Sequence, residues 1–357
     1  MEQDILEYAA KMHCRELHMS VDLATGLKAV IAVHSTALGP ALGGCRLFEY
    51  ASTTAAAIDA IRLAQGMTYK AAISNLPLGG GKMVILKPKQ ISDRVAFFKA
   101  VGRTVNLLSG RYITAVDIGT SVEDMDIVAT TSKFVTCTST GLFTIADPSA
   151  LTARGVLRSI QAAVKFKLGK NTLERLHVTI QGLGHAGYHL AKELHESGAR
   201  LTVFDVKPEL VQKCVKEFSA MVAPDFNTLL SLKADVFAPC ALGAILNDDT
   251  IPRIRAPIVA GCANNQLAEP RHGRELMDRG ILYAPDYAIN AGGLIYVSGQ
   301  HTRSTEAETK QNIENIYNTS LEIFERAERE KRSTNEIADI IAQERVKKKS
   351  ESLEQVF

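Results

Sequence analysis

Hydrophobic positions along the chain change period several times, and each change predicts an element. In "GLKAVIAVH", Leu27, Ala29, Ile31 and Val33 alternate on one side, the pattern of a half-buried strand. "TAAAIDAIRLAQGMTYKAA" is alanine-rich and predicts a helix with Lys70 near its end. "KMVIL" and "YITAV" read as short strands, and the second delivers Asp117 at its C-terminal edge. "ISDRVAFFKAVGRTVNLL" predicts a helix capped by Ser92, and "SVEDMDIVA" starts another. Near residue 140 the character changes. "DPSALTARGVLRSIQAAVKFKLG" opens on turn residues, runs as a helix and stops at Gly169. The apolar runs "HVTIQ", "RLTVFD", "DVFAP", "PIVAGC" and "ILYAP" then alternate with amphipathic helices, which predicts parallel strands joined by crossover helices. From residue 304 one long helix is expected. Thr305 and Glu308 form its capping box, and Ile313, Ile316, Tyr317, Ser320, Phe324 and Ala327 line one face. Ser333 and Glu336 read as a second box opening a last helix. The class is α/β, and 357 residues suggest two domains.

Composition narrows the function. An apolar fraction of 46% suits a globular protein with a sizeable core. A formal charge of +2, with only the terminal "VKKKSESLEQVF" carrying adjacent lysines, argues against nucleic acid as a partner. No window is apolar enough for a membrane span, and "MEQDILEYAAKMHCRELHM" has no signal-peptide pattern. The 6 cysteines are scattered without a C-x-x-C pair, so neither a disulfide framework nor a metal site is expected, and a cytoplasmic setting fits.

"HVTIQGLGHAGYHLAKELHESGARLTVFD" carries a complete nucleotide fingerprint. A strand leads into Gly182-x-Gly184-x-x-Gly187, a helix follows, and a second strand ends at Asp205. Gly182 permits the tight turn, Gly184 lets backbone approach a pyrophosphate, and Gly187 lets helix and strand pack closely. Free N–H groups at the helix start face the phosphates. An acid at position 205 binds ribose hydroxyls and repels a 2′-phosphate, which favours NAD over NADP; Lys207 is the one nearby cation that could recruit that phosphate.

"NLPLGGGKMVIL" invites a phosphate-loop reading, but Met83 follows the lysine and Leu76 stands where that motif needs glycine. The alternative is steric, with glycines clearing space for a substrate or cofactor ring beside Lys82. Lys70 lies nearby in sequence; two ammonium groups in one cleft, together with burial, would lower one pKa and free a neutral amine. Asp117 is the candidate partner acid. Spacing alone favours two solvated lysines and a capping aspartate.

At these residues the chain resembles the glutamate, leucine, phenylalanine and valine dehydrogenase family, its leucine dehydrogenase branch most closely. The matching words run in family order from about residue 20 to 300: "ATGLKAVIAVH", "LGPALGGCR", "RLAQGMTYKAA", "LGGGKMVI", "DIGTSVEDMD", "DPSALTARGV", "PCALGAILND", "ANNQL" and "YAPDYAINAGG". The resemblance implies a catalytic role for Lys82 and Asp117, and a substrate-carboxylate role for Lys70. It implies that Gly43 and Met67 surround the substrate backbone, and that Leu42, Ala115, Leu294 and Val297 line the side-chain pocket. Thr152, Asn264 and Asn290 fall in segments meeting the nicotinamide end or the substrate. The implied fold has a substrate-binding and oligomerisation domain, residues 1–137 joined by C-terminal helices 333–357. A Rossmann domain, residues 138–332, binds NAD across a catalytic cleft.

The expected reaction is reversible oxidative deamination of a branched-chain L-amino acid to the 2-oxo acid and ammonia, by a cytoplasmic homo-oligomer. Phenylalanine or another aromatic or aliphatic L-amino acid is the alternative substrate. Glutamate fits poorly, because the pocket would offer Leu42, Leu294 and Val297 and no base. Two departures stand out: Val116 where the branch commonly has glutamate beside the aspartate, and Leu294 in place of a smaller valine. Val116 is the one feature favouring a different class, a catalytically disabled NAD-binding regulatory protein.

Overall fold

A computed structural model describes residues 4–140 and 148–354. Asp147, which opens one predicted helix, and the end of the lysine-bearing tail lie outside the described residues. The chain forms two compact units. One comprises residues 1–144, 297–304 and 342–357, and the other comprises 145–296 and 305–341.

The first unit contains α1 (Ile5–Lys11), β1 (Glu16–Asp22), β2 (Leu27–Ser35), β3 (Ala41–Phe48), α2 (Thr53–Ile73), β4 (Gly79–Leu86), α3 (Arg94–Asn106), β5 (Tyr112–Val116) and α4 (Val122–Ala129). Its sheet runs β1-β2-β4-β3-β5. Strands β3, β4 and β5 are parallel, whereas β1–β2 and β2–β4 pair antiparallel. The small side chains of α2, among them Ala56, Ala57, Ala60 and Ala64, pack on Val30, Ala32 and Val84. On the other face Phe97, Phe98 and Val101 of α3 and Met125 of α4 pack on Ile31, Met83 and Ile85. Strand β2 is therefore buried on both sides, with only Lys28 exposed, rather than half-buried as its alternation suggested. Val30 and Ala32, between the alternating residues, are apolar too, and α2 covers them. The cap of α3 is Asp93, whose carboxylate accepts from the Ala96 N–H at 2.9 Å, and not Ser92.

The second unit contains α5 (Ser149–Leu168), β6 (His177–Gln181), α6 (His185–Glu196), β7 (Arg200–Phe204), α7 (Pro208–Phe218), β8 (Met221–Val222), α8 (Phe226–Ser231), β9 (Val236–Pro239), β10 (Ile258–Val259), α9 (Arg271–Asp278), β11 (Leu282–Tyr283), α10 (Asp286–Ile289), the start of α11 (Gly292–Thr302), α12 (Glu306–Glu314) and α13 (Ile316–Glu330). Every strand pair of its sheet is parallel, in the order β11-β10-β9-β6-β7-β8. Counted from β6 as the first strand, that is the 3-2-1-4-5-6 order of a doubly wound dinucleotide fold. Each apolar run named from the sequence forms a strand; β8 is an additional short one.

The long helix expected from residue 304 is two. Asn315, with φ −68° and ψ −10°, departs from helical geometry and divides α12 from α13. The Thr305–Glu308 box forms, and Ile313, Ile316, Ser320, Phe324 and Ala327 are buried as their spacing implies. The second box does not form. Ser333 Oγ is buried without a hydrogen-bond partner, and Glu336 instead pairs with Arg332 at 3.2 Å. The last helix, α14 (Thr334–Glu354), runs through the 341/342 division between units. Its C-terminal half is tied to the first unit by Arg345, which donates to the carbonyls of Ala72 and Ile73 at 3.1 and 2.8 Å. Among the described residues no helix is long and apolar enough to cross a membrane.

Candidate active site

In the first unit the period of β4 decides where Lys82 goes. Gly80, Lys82 and Val84 share the face that α2 covers, and a Cβ on Gly80 would sit 2.1 Å from the Thr68 nitrogen. The glycines before Lys82 therefore do not clear room for a ligand. A Cβ on Gly79 would meet the Ser35 carbonyl at 1.9 Å, and one on Gly81 the Tyr112 ring at 2.7 Å. They admit the protein's own backbone and a phenol ring, which corrects the steric reading made from the sequence.

That close fit leaves Lys82 only 5% exposed. Its ammonium lies 2.8 Å from Asp117 Oδ2, just beyond the end of β5. Burial pulls the lysine pKa below its usual value; Asp117 opposes this and Arg46 reinforces it. Burial pushes the Asp117 carboxyl up, but Lys82 and Arg46 outweigh it, so its pKa falls below the usual carboxylate range. The order of causes differs from the sequence expectation. Desolvation leads, and Arg46 is a cation that works with it. Nothing in the spacing of "LGGCR" singles Arg46 out. From β3 its Nε donates to Asp117 Oδ2 at 2.9 Å and its Nη1 donates to Asp59 Oδ2 of α2 at 3.1 Å. Tyr50 Oη donates to that same Asp59 oxygen at 2.5 Å.

The other residues assigned to the substrate have defined places. Lys70 and Met67 lie half-buried in the last turns of α2. Leu42 and Ala115 are buried on neighbouring strands β3 and β5, at 2% and 6% exposure. The Gly43 carbonyl accepts from the buried Tyr112 phenol at 2.7 Å. Leu294 is buried and Val297 half-buried, one turn apart on α11, where the chain passes from the second unit to the first. Val116 is 37% exposed and touches neither charge of the lysine–aspartate pair through a hydrogen bond.

In the second unit the fingerprint glycines differ in what surrounds them. Gly182 takes φ +93°, a left-handed turn, with Ala241 packed against it. A Cβ on Gly187 would lie 2.0 Å from the Gly182 carbonyl, so α6 can seat on β6 only without one. Nothing stands within 4 Å of a Cβ on Gly184, the N-cap of α6, and that side is open. Asp205 at the end of β7 accepts from the Leu183 N–H at 2.6 Å and from the Lys207 N–H at 2.9 Å. A cavity of about 400 Å³ adjoins this loop, lined by Gly184, His185, His189, Lys207 and Lys213 among others. At the C-terminus of α10, Asn290 Nδ2 donates to Asn264 Oδ1 at 2.7 Å and to the Cys262 carbonyl at 3.2 Å, both in the loop after β10. Thr152 lies on α5, with Gly292 packed on its backbone. An open helix N-terminus, a left-handed glycine and an acid at the second strand end fit the pyrophosphate and ribose of a dinucleotide.

A doubly wound dinucleotide unit in one chain with a buried lysine–aspartate pair defines a nicotinamide-dependent dehydrogenase. The Glu/Leu/Phe/Val dehydrogenase dimerisation-domain model matches residues 12–134, and the Glutamate/Leucine/Phenylalanine/Valine dehydrogenase model matches residues 206–353. Leucine dehydrogenase of Thermoactinomyces intermedius is 46% identical over 96% of this chain and 93% of its own. Valine dehydrogenase of Streptomyces coelicolor is 45% identical over 91% of this chain and 90% of its own. The crystal structure of L-tryptophan dehydrogenase from Nostoc punctiforme superposes with a TM-score of 0.88 at 38% identity, covering 98% of this chain and 100% of that one. The chain belongs to the Glu/Leu/Phe/Val dehydrogenase family and is an oxidoreductase acting on amino acids.

Proposed function

We propose that the protein catalyses the reversible, NAD-dependent oxidative deamination of branched-chain L-amino acids. One observation carries the mechanism: a lysine 5% exposed, its pKa lowered by burial, held 2.8 Å from an ionised aspartate. Lys70 pairs with the substrate carboxylate. Asp117 accepts a proton from the substrate ammonium, leaving an amine able to form an iminium. The bound nicotinamide supplies the hydride acceptor for Cα. Neutral Lys82 takes a proton from the water that attacks the iminium carbon, and the carbinolamine then collapses to 2-oxo acid and ammonia. Each positioned acid or base contributes about 10²–10⁴-fold to such a reaction. Gly43 and Met67 would flank the substrate backbone, and Leu42, Ala115, Leu294 and Val297 its side chain. Thr152, Asn264 and Asn290 would meet the nicotinamide end.

Leucine and valine dehydrogenases among the relatives, with apolar Leu42 and Leu294, support a branched-chain substrate. Leu294 changes the pocket by one methylene against valine, about 1–3 kcal/mol of preference, so the aromatic alternative is tested beside it. Asp205 supports NAD, because a carboxylate repels a 2′-phosphate. Lys207 and Lys213 in the adjoining cavity are the specific observation favouring NADP. Initial rates at the nicotinamide absorbance, with a panel of L-amino acids and both cofactors, decide both points. A glutamate preference would refute the pocket, and a larger kcat/KM with NADP would refute the cofactor reading.

A homo-oligomer is proposed on the edge strand β1, where Met19 and Val21 are 60% and 62% exposed, followed by Leu23 at 93%. Light scattering on the eluting protein measures it, and a monomeric mass would refute it.

A further inference from the structure

Arg46 has a job that its place in the sequence does not announce. Its guanidinium lies half-buried between two carboxylates, Asp117 beyond β5 and Asp59 on α2. Nε and Nη1 point to different acids, so the fork is fixed from both sides. Tyr50 Oη donates to the outer acid and holds that acid's orientation in turn. The inner acid receives Arg46 Nε and Lys82 Nζ on one oxygen, Oδ2, at 2.9 and 2.8 Å. Both cations thereby fix the carboxylate through Oδ2.

We propose that Arg46 is a positioning residue for the deamination, orienting Asp117 so that Oδ1 receives the substrate proton. The inference rests on the acid–base roles given to Lys82 and Asp117 above. The groups acting on Lys82 are Asp117 beyond β5, and Arg46 and Cys45 of β3, whose thiol burial pushes up to about 12. Asp59 of α2 bears on it through Arg46, and Asp124 of α4 through Cys45. Among these groups Arg46 carries the positive charge, so its removal takes a like charge from beside Lys82.

Without Arg46, Lys82 loses a like charge and holds its proton more tightly. The acid limb of the pH–rate profile, where Lys82 must be neutral, moves to higher pH. The experiment is steady-state kinetics with L-leucine and NAD over pH 7–11 on Arg46→Gln and Arg46→Lys, with NAD binding by fluorescence as the control. Arg46→Gln is expected to lower kcat about 10- to 100-fold, as misorientation of a reacting group does. Its acid limb should move up by about one pH unit, with NAD affinity unchanged. Arg46→Lys restores the charge but not the fork, so its limb should return toward the wild-type position while kcat recovers only in part. Should Arg46→Gln not fold, Asp59→Asn carries the test. It releases the outer end of the fork and is expected to lower kcat several-fold without changing the KM for NAD. A wild-type kcat and limb in the folded Arg46→Gln enzyme, or in Asp59→Asn in its place, would overturn the proposal. Lys82→Ala and Asp117→Asn run in the same assay separate the two readings. If either keeps full turnover, the acid–base assignment fails. If both lose turnover while Arg46→Gln matches the wild type, only the positioning role fails.

Discussion

Replacing Asp117 by Asn removes the one negative charge between Lys82 and Arg46, and the loss can be worked from the structure. At 2.8 Å the pair interacts with about 6 kcal/mol at an effective dielectric constant near 20. Removing one partner of a buried pair generally costs about 3–5 kcal/mol. Lys82 has a way out, because it can release its proton. Starting from the ordinary lysine value of 10.5, release costs about 1.4 kcal/mol for each pH unit below it. The loss is therefore capped near 4 kcal/mol at pH 7.5 and near 1.4 kcal/mol at pH 9.5, plus about 1 kcal/mol for the missing hydrogen bond. The sign follows from proton binding. In the variant the folded lysine binds its proton more weakly than the unfolded one. Stability then rises with pH between the folded value and 10.5, and the penalty is felt in full below the folded value. Urea midpoints by circular dichroism at pH 7.5 and 9.5 measure this for wild type, Asp117→Asn, and Asp117→Asn combined with Lys82→Met. The single variant should lose most at pH 7.5, and the methionine should restore much of the loss there. An equal loss at both pH values, or no relief from methionine, would mean that Lys82 is not the buried cation described. Turnover of the single variant should fall about 10²–10⁴-fold at every pH.

Gly184→Ala should fold with stability within about 0.5–1 kcal/mol of wild type, since its Cβ meets nothing. Yet it should raise the KM for NAD, because that Cβ occupies the approach to the pyrophosphate; an unchanged KM counts against the site. Gly187→Val should lose both stability and NAD binding in thermal melts with and without cofactor, because its Cβ would collide with the Gly182 carbonyl. Gly80→Ala drives a methyl into the Thr68 nitrogen and should destabilise by about 1–3 kcal/mol or more; a neutral result in urea would disprove the tight seat of α2. Asp339, whose carboxyl burial pushes up to about 6, is penalised when ionised. Asp339→Asn should stabilise by about 1–3 kcal/mol at pH 8. The gain should fade as pH falls through 6 toward 4, where the wild-type acid is already protonated. An equal gain at both pH values would refute it.

The dinucleotide site was legible because its chemistry is local. Gly182, Gly184, Gly187 and Asp205 span one strand, one helix and the next strand, so spacing alone carries the geometry. Strand direction was legible for a similar reason, since short apolar runs separated by helices can return only as parallel neighbours. The Arg46–Asp59–Tyr50 chain was not, because it joins β3, α2 and the turn between them through side chains whose directions no periodicity specifies. The purpose of "GGGK" was misread on the same ground. A glycine signals that something comes close, and only the fold tells whether that is a ligand or Thr68. The failed second capping box is a local competition, in which Arg332 reaches Glu336 before the Ser333 backbone does.

These misreadings share a physical root, which explains how the lysine becomes a base. The alanines of α2 looked like helix propensity, and the glycines of β4 like ligand space. In the fold each serves the other. Ala56, Ala60 and Ala64 present a flat surface, and Gly80 lets that surface settle on the strand. Lys82 lies between Gly80 and Val84 on the covered face, so this fit is what strips water from its ammonium. Desolvation is the leading cause of its lowered pKa. A larger residue on that face of α2 would lift the helix, admit water and return the lysine toward its ordinary value. Small side chains that touch no substrate therefore set the protonation state on which the chemistry turns.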